Sequence, residues 1–315
     1  RSSLAPGWPR ANLHTLIMWQ VIARSLFGVA LLAGVVAYVE PSRLIASTES
    51  LRLEWLATAV LLGFGGILIQ WWKWAQLSRL LPRRFTPSQV SRTLFGGFVL
   101  GMMSPGRVGE FGRAVFVDDQ HRSVSALTAL DRAASATFTM VAGALAVGYC
   151  FAHTRWPLVI SGTIGVLLAV RYRSALRDLA ARYDLADMTK PDVGRRVLGN
   201  AIGALTFNGV FFSQLYCLLA AGADVPAAAV AGIPMVFAAK TLLPLAPMDI
   251  GVRETAAVFV LGHFGVDVAV ALQASLLLFL INVLLPGLIG VLLVSGSRWQ
   301  GVSLPSITRH RYPTP

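Results

Sequence analysis

The sequence predicts an all-α polytopic integral membrane helical bundle, with about six full spans plus two re-entrant broken-helix hairpins in an inverted repeat. Three observations predict it. Of 315 residues, 55% are hydrophobic and 13% are Asp, Glu, Lys or Arg, where an ordinary globular domain carries about 25% charged residues. A soluble chain of this size cannot enclose so much apolar surface in one core, whereas lipid solvates it directly, in keeping with a mean hydropathy of +0.65. Several apolar runs also reach about 20 residues, the length that crosses a bilayer as a helix. Finally, two shorter apolar stretches break at Pro-rich turns and run on into charged segments.

Taken in order, residues 16–39 form the first apolar run, interrupted by Gln20, Arg24 and Ser25. A mixed connector over 40–54 sets Glu40, Glu49 and Glu54 against Arg43 and Arg52. The second span, 55–77, closes on Trp71, Trp72 and Trp74 around Lys73. Tryptophan at a span end predicts the headgroup belt, with Lys73, like Arg24, an interfacial anchor reaching outward. Arg79, Arg83, Arg84 and Arg92 follow.

Residues 90–103 are apolar but too few to span. They break at Ser104-Pro105-Gly106 and continue as Arg107-Val-Gly109-Glu110-Phe-Gly-Arg113. An apolar half-helix, a Pro-Gly break and a returning amphipathic half-helix describe a re-entrant hairpin over 90–117. Span three is 127–151, with Asp131 and Arg132 in its first turns, and span four is 156–170. Residues 171–196, with seven basic and four acidic side chains, read as a loop carrying an interfacial helix. Span five is 197–221. The second hairpin, 226–264, places Lys240 before the break Pro244-Leu-Ala-Pro247 and then Met248-Asp249-Ile-Gly251-Val-Arg253-Glu254. Residues 268–294 form the last span, followed by Arg298, Arg309 and Arg311.

The net charge of +12 lies mainly between apolar runs, the pattern of the positive-inside rule. Both termini, the loop after span two and the 171–196 loop are therefore expected on the cytoplasmic face of a cell (inner) membrane. The first hairpin then enters from the cytoplasm and the second from outside. The whole of 1–315 forms one transmembrane domain, with repeat one at about 55–151 and repeat two at about 197–294. Pro105 and Pro247 open matched segments, and Gly109 and Gly251 keep the same offset. Inverted repeats with broken helices meeting near the midplane are a recurring transporter design.

Other functions find little support. No basic stripe with interleaved aromatics points to nucleic acid. Cys150 and Cys217 sit in apolar stretches and read as small buried hydrophobes. The histidines are scattered without metal-ligand spacing, and no nucleophile or phosphate-loop motif appears, so neither an enzyme nor a cofactor or metal is expected. The chain begins at Arg1, and no signal-peptide pattern precedes the first span. Asn208, Gln214, Gln273 and Asn282 read as interhelical hydrogen-bond partners.

The charged hairpins carry the functional argument. A charge at bilayer depth costs about 2.5–3.5 kcal/mol on insertion scales. Arg107, Glu110, Arg113, Lys240, Asp249, Arg253 and Glu254 therefore either pair structurally, sit solvated at the interface, or line a wet cavity that holds an ionic ligand. Half-helix ends favour anions, and the guanidinium fork suits phosphate. Two such motifs entering from opposite faces favour the shared central site. Asp131 and Arg132 join the candidate set, either facing the bundle or marking the interface. Pro105, Gly106, Gly109, Pro244, Pro247 and Gly251 form the breaks.

The segments Ser104–Arg113 and Leu130-Asp131-Arg132, with Leu243–Glu254 later, resemble the flippase-like transmembrane family. That family includes the membrane domain of lysylphosphatidylglycerol synthases (the multiple peptide resistance factors) and stand-alone homologues, and the resemblance spans about 16–294. It implies a domain moving a lipid or lipid-linked group between leaflets, with Pro105, Arg107, Gly109, Glu110, Arg113, Asp131, Arg132, Pro247, Gly251, Arg253 and Glu254 at motif positions. Where such proteins often carry Gly-Gly, this chain has Met248-Asp249, a bulkier and acidic pair. No segment of the 315 residues resembles the soluble aminoacyl-transferase domain, so lysine transfer is not expected.

The sequence thus predicts a lipid translocase moving an anionic phospholipid or lipid-linked group through a central Arg-lined cavity. Its rivals are a non-transporting partner that presents a lipid intermediate to a separate glycosyltransferase or synthase, and a small-solute or ion transporter. A homo-oligomer or a lipid-modifying enzyme is an expected partner.

Overall fold

A computed structural model describes residues 10–104, 106–150 and 191–296. Span four and Pro105 lie outside the described residues, as does most of the 171–196 loop. Among the described residues every regular element is helical: α1 (Arg10–Val39), α2 (Pro41–Glu49), α3 (Leu53–Ser78), α4 (Pro87–Met102), a 3-10 helix (Val108–Phe116), α5 (His121–Cys150), α6 (Pro191–Gly222), α7 (Ala227–Leu242), α8 (Val252–His263), α9 (Val268–Phe279), a π turn (Leu280–Leu284) and α10 (Leu285–Gly296). Five stretches are long and apolar enough to cross a membrane: Ile22–Val39, Leu53–Ser78, His121–Cys150, Val193–Gly222 and Val268–Leu293. The protein is an all-α polytopic membrane protein.

Several boundaries differ from expectation. The connector after α1 folds as α2, because Pro41 lacks an N–H at a position where it would have no intrahelical partner and its ring presets a helical φ. The segment 191–196 belongs to α6, not to a loop. The half-helix after the first break is a 3-10 helix. In that geometry residues three apart stand in line, so Arg107, Glu110, Arg113 and Phe116 share one edge. Glycines of α4 receive that edge: a Cβ at Gly97 would lie 2.7 Å from Cγ of Arg113, and one at Gly101 2.7 Å from Cγ of Glu110.

α4 begins where Thr86 accepts from the Gln89 backbone N–H and the Gln89 side chain accepts from that of Thr86. α9 begins where Asp267 accepts from the N–H groups of Ala269 and Val270. α3 and α6 run antiparallel, with Arg196 on Gln76 at one end and Arg52 on Asp224 at the other.

Those two ends place the hairpins. Hairpin one, α4 with the 3-10 helix, has its base at the C-terminal end of α3, where Arg83 pairs with Asp119 at 3.5 Å and bonds Gln120. Hairpin two, α7 with α8, has its base beside the N-terminal end of α3. There Asp224 and Asp267, which flank the hairpin in sequence, pair with Arg52 at 2.9 Å and Arg43 at 2.8 Å. The hairpins therefore enter the bundle from opposite ends and each has its own core. Leu94, Phe98, Ala114 and Leu127 pack around hairpin one. Ile233, Phe237, Ala257 and Leu261 pack around hairpin two.

Candidate functional site

The tips of the hairpins touch. Gly106 has φ +57, and a Cβ built there would lie 2.7 Å from Cβ of Pro244. Left-handed backbone marks both breaks: Gly106 and Arg107 in the first, Met248, Asp249 and Gly251 in the second. Such conformations cost an ordinary residue roughly 1–2 kcal/mol each and persist where the surroundings fix them. Gly251 has a second reason to be glycine, since a Cβ there would lie 2.5 Å from the carbonyl oxygen of Gly28 on α1.

Between the tips and the spans lies a cavity of about 220 Å³. Its charged lining comes from both hairpins and α5: Arg107 and Arg132 on one side, Lys240, Asp249 and Arg253 on the other. Gln70, Thr139, Asn208 and Asn282 supply uncharged polar groups, and Phe207, Phe211 and Phe237 an apolar wall. The π turn widens the last span at Asn282, whose Nδ2 donates to Gln214 at 2.8 Å. Extra-residue bulges of this kind recur at functional sites.

Behind hairpin one stands a network in which carboxylates are shared. Glu110 is wholly buried; its Oε1 meets Arg107 Nε at 2.6 Å and its Oε2 meets Arg113 at 3.3 Å and Arg132. Asp131 meets Lys73 Nζ at 3.0 Å and Arg113 Nη1 at 3.5 Å. Arg113, also wholly buried, stacks over the Trp74 ring at 4.7 Å. Hairpin two pairs its charges one to one. Lys240 Nζ meets Asp249 Oδ2 at 3.1 Å. Arg253 pairs with Glu254 and donates to Ser275 Oγ at 3.0 Å. Glu254 also accepts from the Gly251 N–H at 2.8 Å, which caps α8.

Arg107, Arg132, Lys240, Asp249 and Arg253 thus come together at one cavity, with Glu110, Arg113, Asp131 and Glu254 directly behind them. Pro244 and Gly106 border the cavity as well. Gly109 and Gly251 hold close backbone approaches, Gly109 against the Leu100 carbonyl. Asp131 and Arg132 face the bundle and pair with different partners, not with each other.

Lys73 corrects the expectation of an interfacial anchor, because its side chain is only 2% exposed. Of the tryptophans beside it, Trp74 is fully buried and donates to Thr93, while Trp72 is exposed. The signal was present in the buried stripe of α3, where Lys73 and Leu77 continue the helical spacing of the small residues Ala59, Gly63 and Gly66. The interhelical amides have the expected partners. Asn208 accepts from Thr139 at 2.6 Å, Gln214 donates to the Ala59 carbonyl at 2.9 Å, and Gln273 donates to Thr48 at 3.1 Å. Asn208 and Asn282 also line the cavity, which glue alone does not require. Among the described residues no His, Cys, Asp and Glu cluster could hold a metal ion.

Fold and site together define a multi-span membrane protein whose broken helices bring charged side chains to one cavity. The model of the lysylphosphatidylglycerol synthase TM region matches residues 22–290, and the chain belongs to that family. No curated protein matches the chain significantly, and no solved structure does.

Proposed function

We propose that the protein is a flippase-like lipid translocase that moves an anionic phospholipid or lipid-linked group between leaflets. The headgroup enters the cavity between the hairpin tips while the acyl chains stay in the surrounding lipid. Both hairpins are re-entrant, hairpin one from the cytoplasm and hairpin two from outside, with both termini cytoplasmic in the cell membrane. The two halves part alternately, opening the cavity toward one leaflet and then the other.

One observation carries this reading: cations of both hairpins, Arg107 and Arg253 with Lys240, border the same cavity although their hairpins enter from opposite ends. Structural ion pairs alone would not call for a polar cavity between the tips. Arg107 and Arg253 hold phosphate, oriented by Glu110 and Glu254, and the protein performs no covalent chemistry. Membership of a family named for a lipid-modifying enzyme's membrane region adds support.

Reconstitution into liposomes containing labelled phospholipid tests the proposal. Wild-type protein should accelerate label exchange between leaflets, and the double variant Arg107→Ala/Arg253→Ala should lose most of that acceleration. Equal exchange by both proteins would refute the assigned roles.

A further inference from the structure

Among the described residues the charges around the cavity do not balance. On the side of hairpin one, Lys73, Arg107, Arg113 and Arg132 face two carboxylates, Glu110 and Asp131. On the side of hairpin two, Lys240 and Arg253 face two, Asp249 and Glu254. Six cations against four carboxylates leave two positive charges, both on the hairpin-one side. Arginine does not shed its proton in proteins, so Arg107, Arg113 and Arg132 alone outnumber the two carboxylates of that side, and Lys73, held 3.0 Å from Asp131, adds the second positive charge. An uncompensated charge at bilayer depth is costly, and an occupant carrying two negative charges removes that cost.

The carboxylates restrict the occupant further. Each of the four already has a cation partner, and Asp249, the one that lines the cavity, is held by Lys240. A headgroup ammonium would have to displace an existing cation to find a carboxylate. We infer that the cavity selects a headgroup with about two negative charges on phosphate and no amine, a phosphomonoester or a diphosphate ester. This inference rests on the translocase reading for the site and adds its substrate class. It disfavours zwitterionic headgroups and, more strongly, lysyl-bearing ones, which would bring further cations into a positive cavity. A phosphomonoester reaches its second charge with a pKa of about 6, which supplies a signature that mere packing lacks.

Binding is read first, by native mass spectrometry of the purified full chain in detergent with dioleoyl phosphatidate, phosphatidylglycerol, phosphatidylethanolamine and lysyl-phosphatidylglycerol. Phosphatidate should bind tightest, by about tenfold or more over phosphatidylethanolamine, equivalent to about 1.4 kcal/mol. Lysyl-phosphatidylglycerol should bind weakest. In a tryptophan-fluorescence titration, the preference for phosphatidate should rise between about pH 5.5 and about pH 7.5 as the second charge forms. Glycerol 3-phosphate should compete poorly, since it lacks acyl chains to anchor in lipid; competition as strong as phosphatidate's would overturn the lipid source.

Lys240→Gln removes one cation and uncovers Asp249, so the ratio of phosphatidate to phosphatidylethanolamine should fall about tenfold. Equal or tighter binding of an amine-bearing lipid to the wild-type chain overturns the inference, whatever the variant does. The same lipids are then followed across liposome leaflets. Headgroup selectivity without movement would sink the translocase reading and leave the selectivity standing. Movement without selectivity would do the reverse.

Discussion

The two hairpins share a backbone and differ in their electrostatics. Counting from the matched prolines, Gly106 and Met248 occupy equivalent positions, as do Arg107 and Asp249, and all four are left-handed. The same break thus presents a cation to the cavity from one hairpin and a carboxylate from the other. Beyond the break the hairpins diverge. Hairpin one continues as a 3-10 helix whose in-line residues set Arg107 and Arg113 on one Glu110, where Arg132 of α5 joins them. Hairpin two continues as an α-helix, where Arg253 and Glu254 pair as neighbours and the local charges cancel. A repeated architecture therefore fixes where the chain breaks, while the helix type that follows decides how charge is shared.

The largest expected effect separates the two carboxylates. Glu110→Gln removes the carboxylate shared by buried Arg113 and half-buried Arg107 and Arg132 and should destabilise the protein by about 3–5 kcal/mol, the cost of breaking a buried pair. Glu254→Gln leaves one arginine that still reaches Ser275, so about 1.5–3 kcal/mol is expected, as for a hydrogen bond to a charged group. Unfolding by dodecyl sulfate titration in mixed micelles would rank them, and equal losses would break the comparison.

Next in size is the pair behind hairpin one. Lys73→Met alone should cost about 3 kcal/mol, and adding Asp131→Leu should recover most of it, because removing both charges ends the desolvation penalty. The same titration checks this, and no recovery would mean that Arg113, the other partner of Asp131, depends on that carboxylate. Gly97→Ala should cost about 1–3 kcal/mol, since its Cβ would lie 2.7 Å from Cγ of Arg113 in a packed interior. The smallest effect is expected at the matched break. Met248→Gly should leave stability within about 1 kcal/mol of the wild type or raise it slightly, as a left-handed residue becomes glycine.

Much of this was legible in the sequence, because it depends on local signals. Long apolar runs, Pro-Gly breaks and their charged sequels report on the membrane, the hairpins and Arg107, Glu110 and Arg253. What escaped depends on helix type and partner choice. Nothing within 108–116 itself announces a 3-10 helix, since the glycines of α4 that admit its side chains lie across the hairpin. Lys73 beside three tryptophans looked interfacial, and only its place on the small-residue stripe of α3 identifies it as buried. Asn282 reaches the cavity through a π turn, which side-chain patterning does not encode. Asp131 and Arg132, adjacent in sequence, point to different partners because successive helical positions turn by about 100°.

The hairpin tips meet beside the cavity, and under the proposed translocation they part for a headgroup to cross. A disulfide between Gly106→Cys and Pro244→Cys, made with Cys150 and Cys217 replaced by alanine, tests both halves at once. The oxidised protein should form the intramolecular bond and lose leaflet exchange in liposomes, and reductant should restore it. Failure of the bond to form, or exchange at the reduced rate while it is intact, would contradict the account.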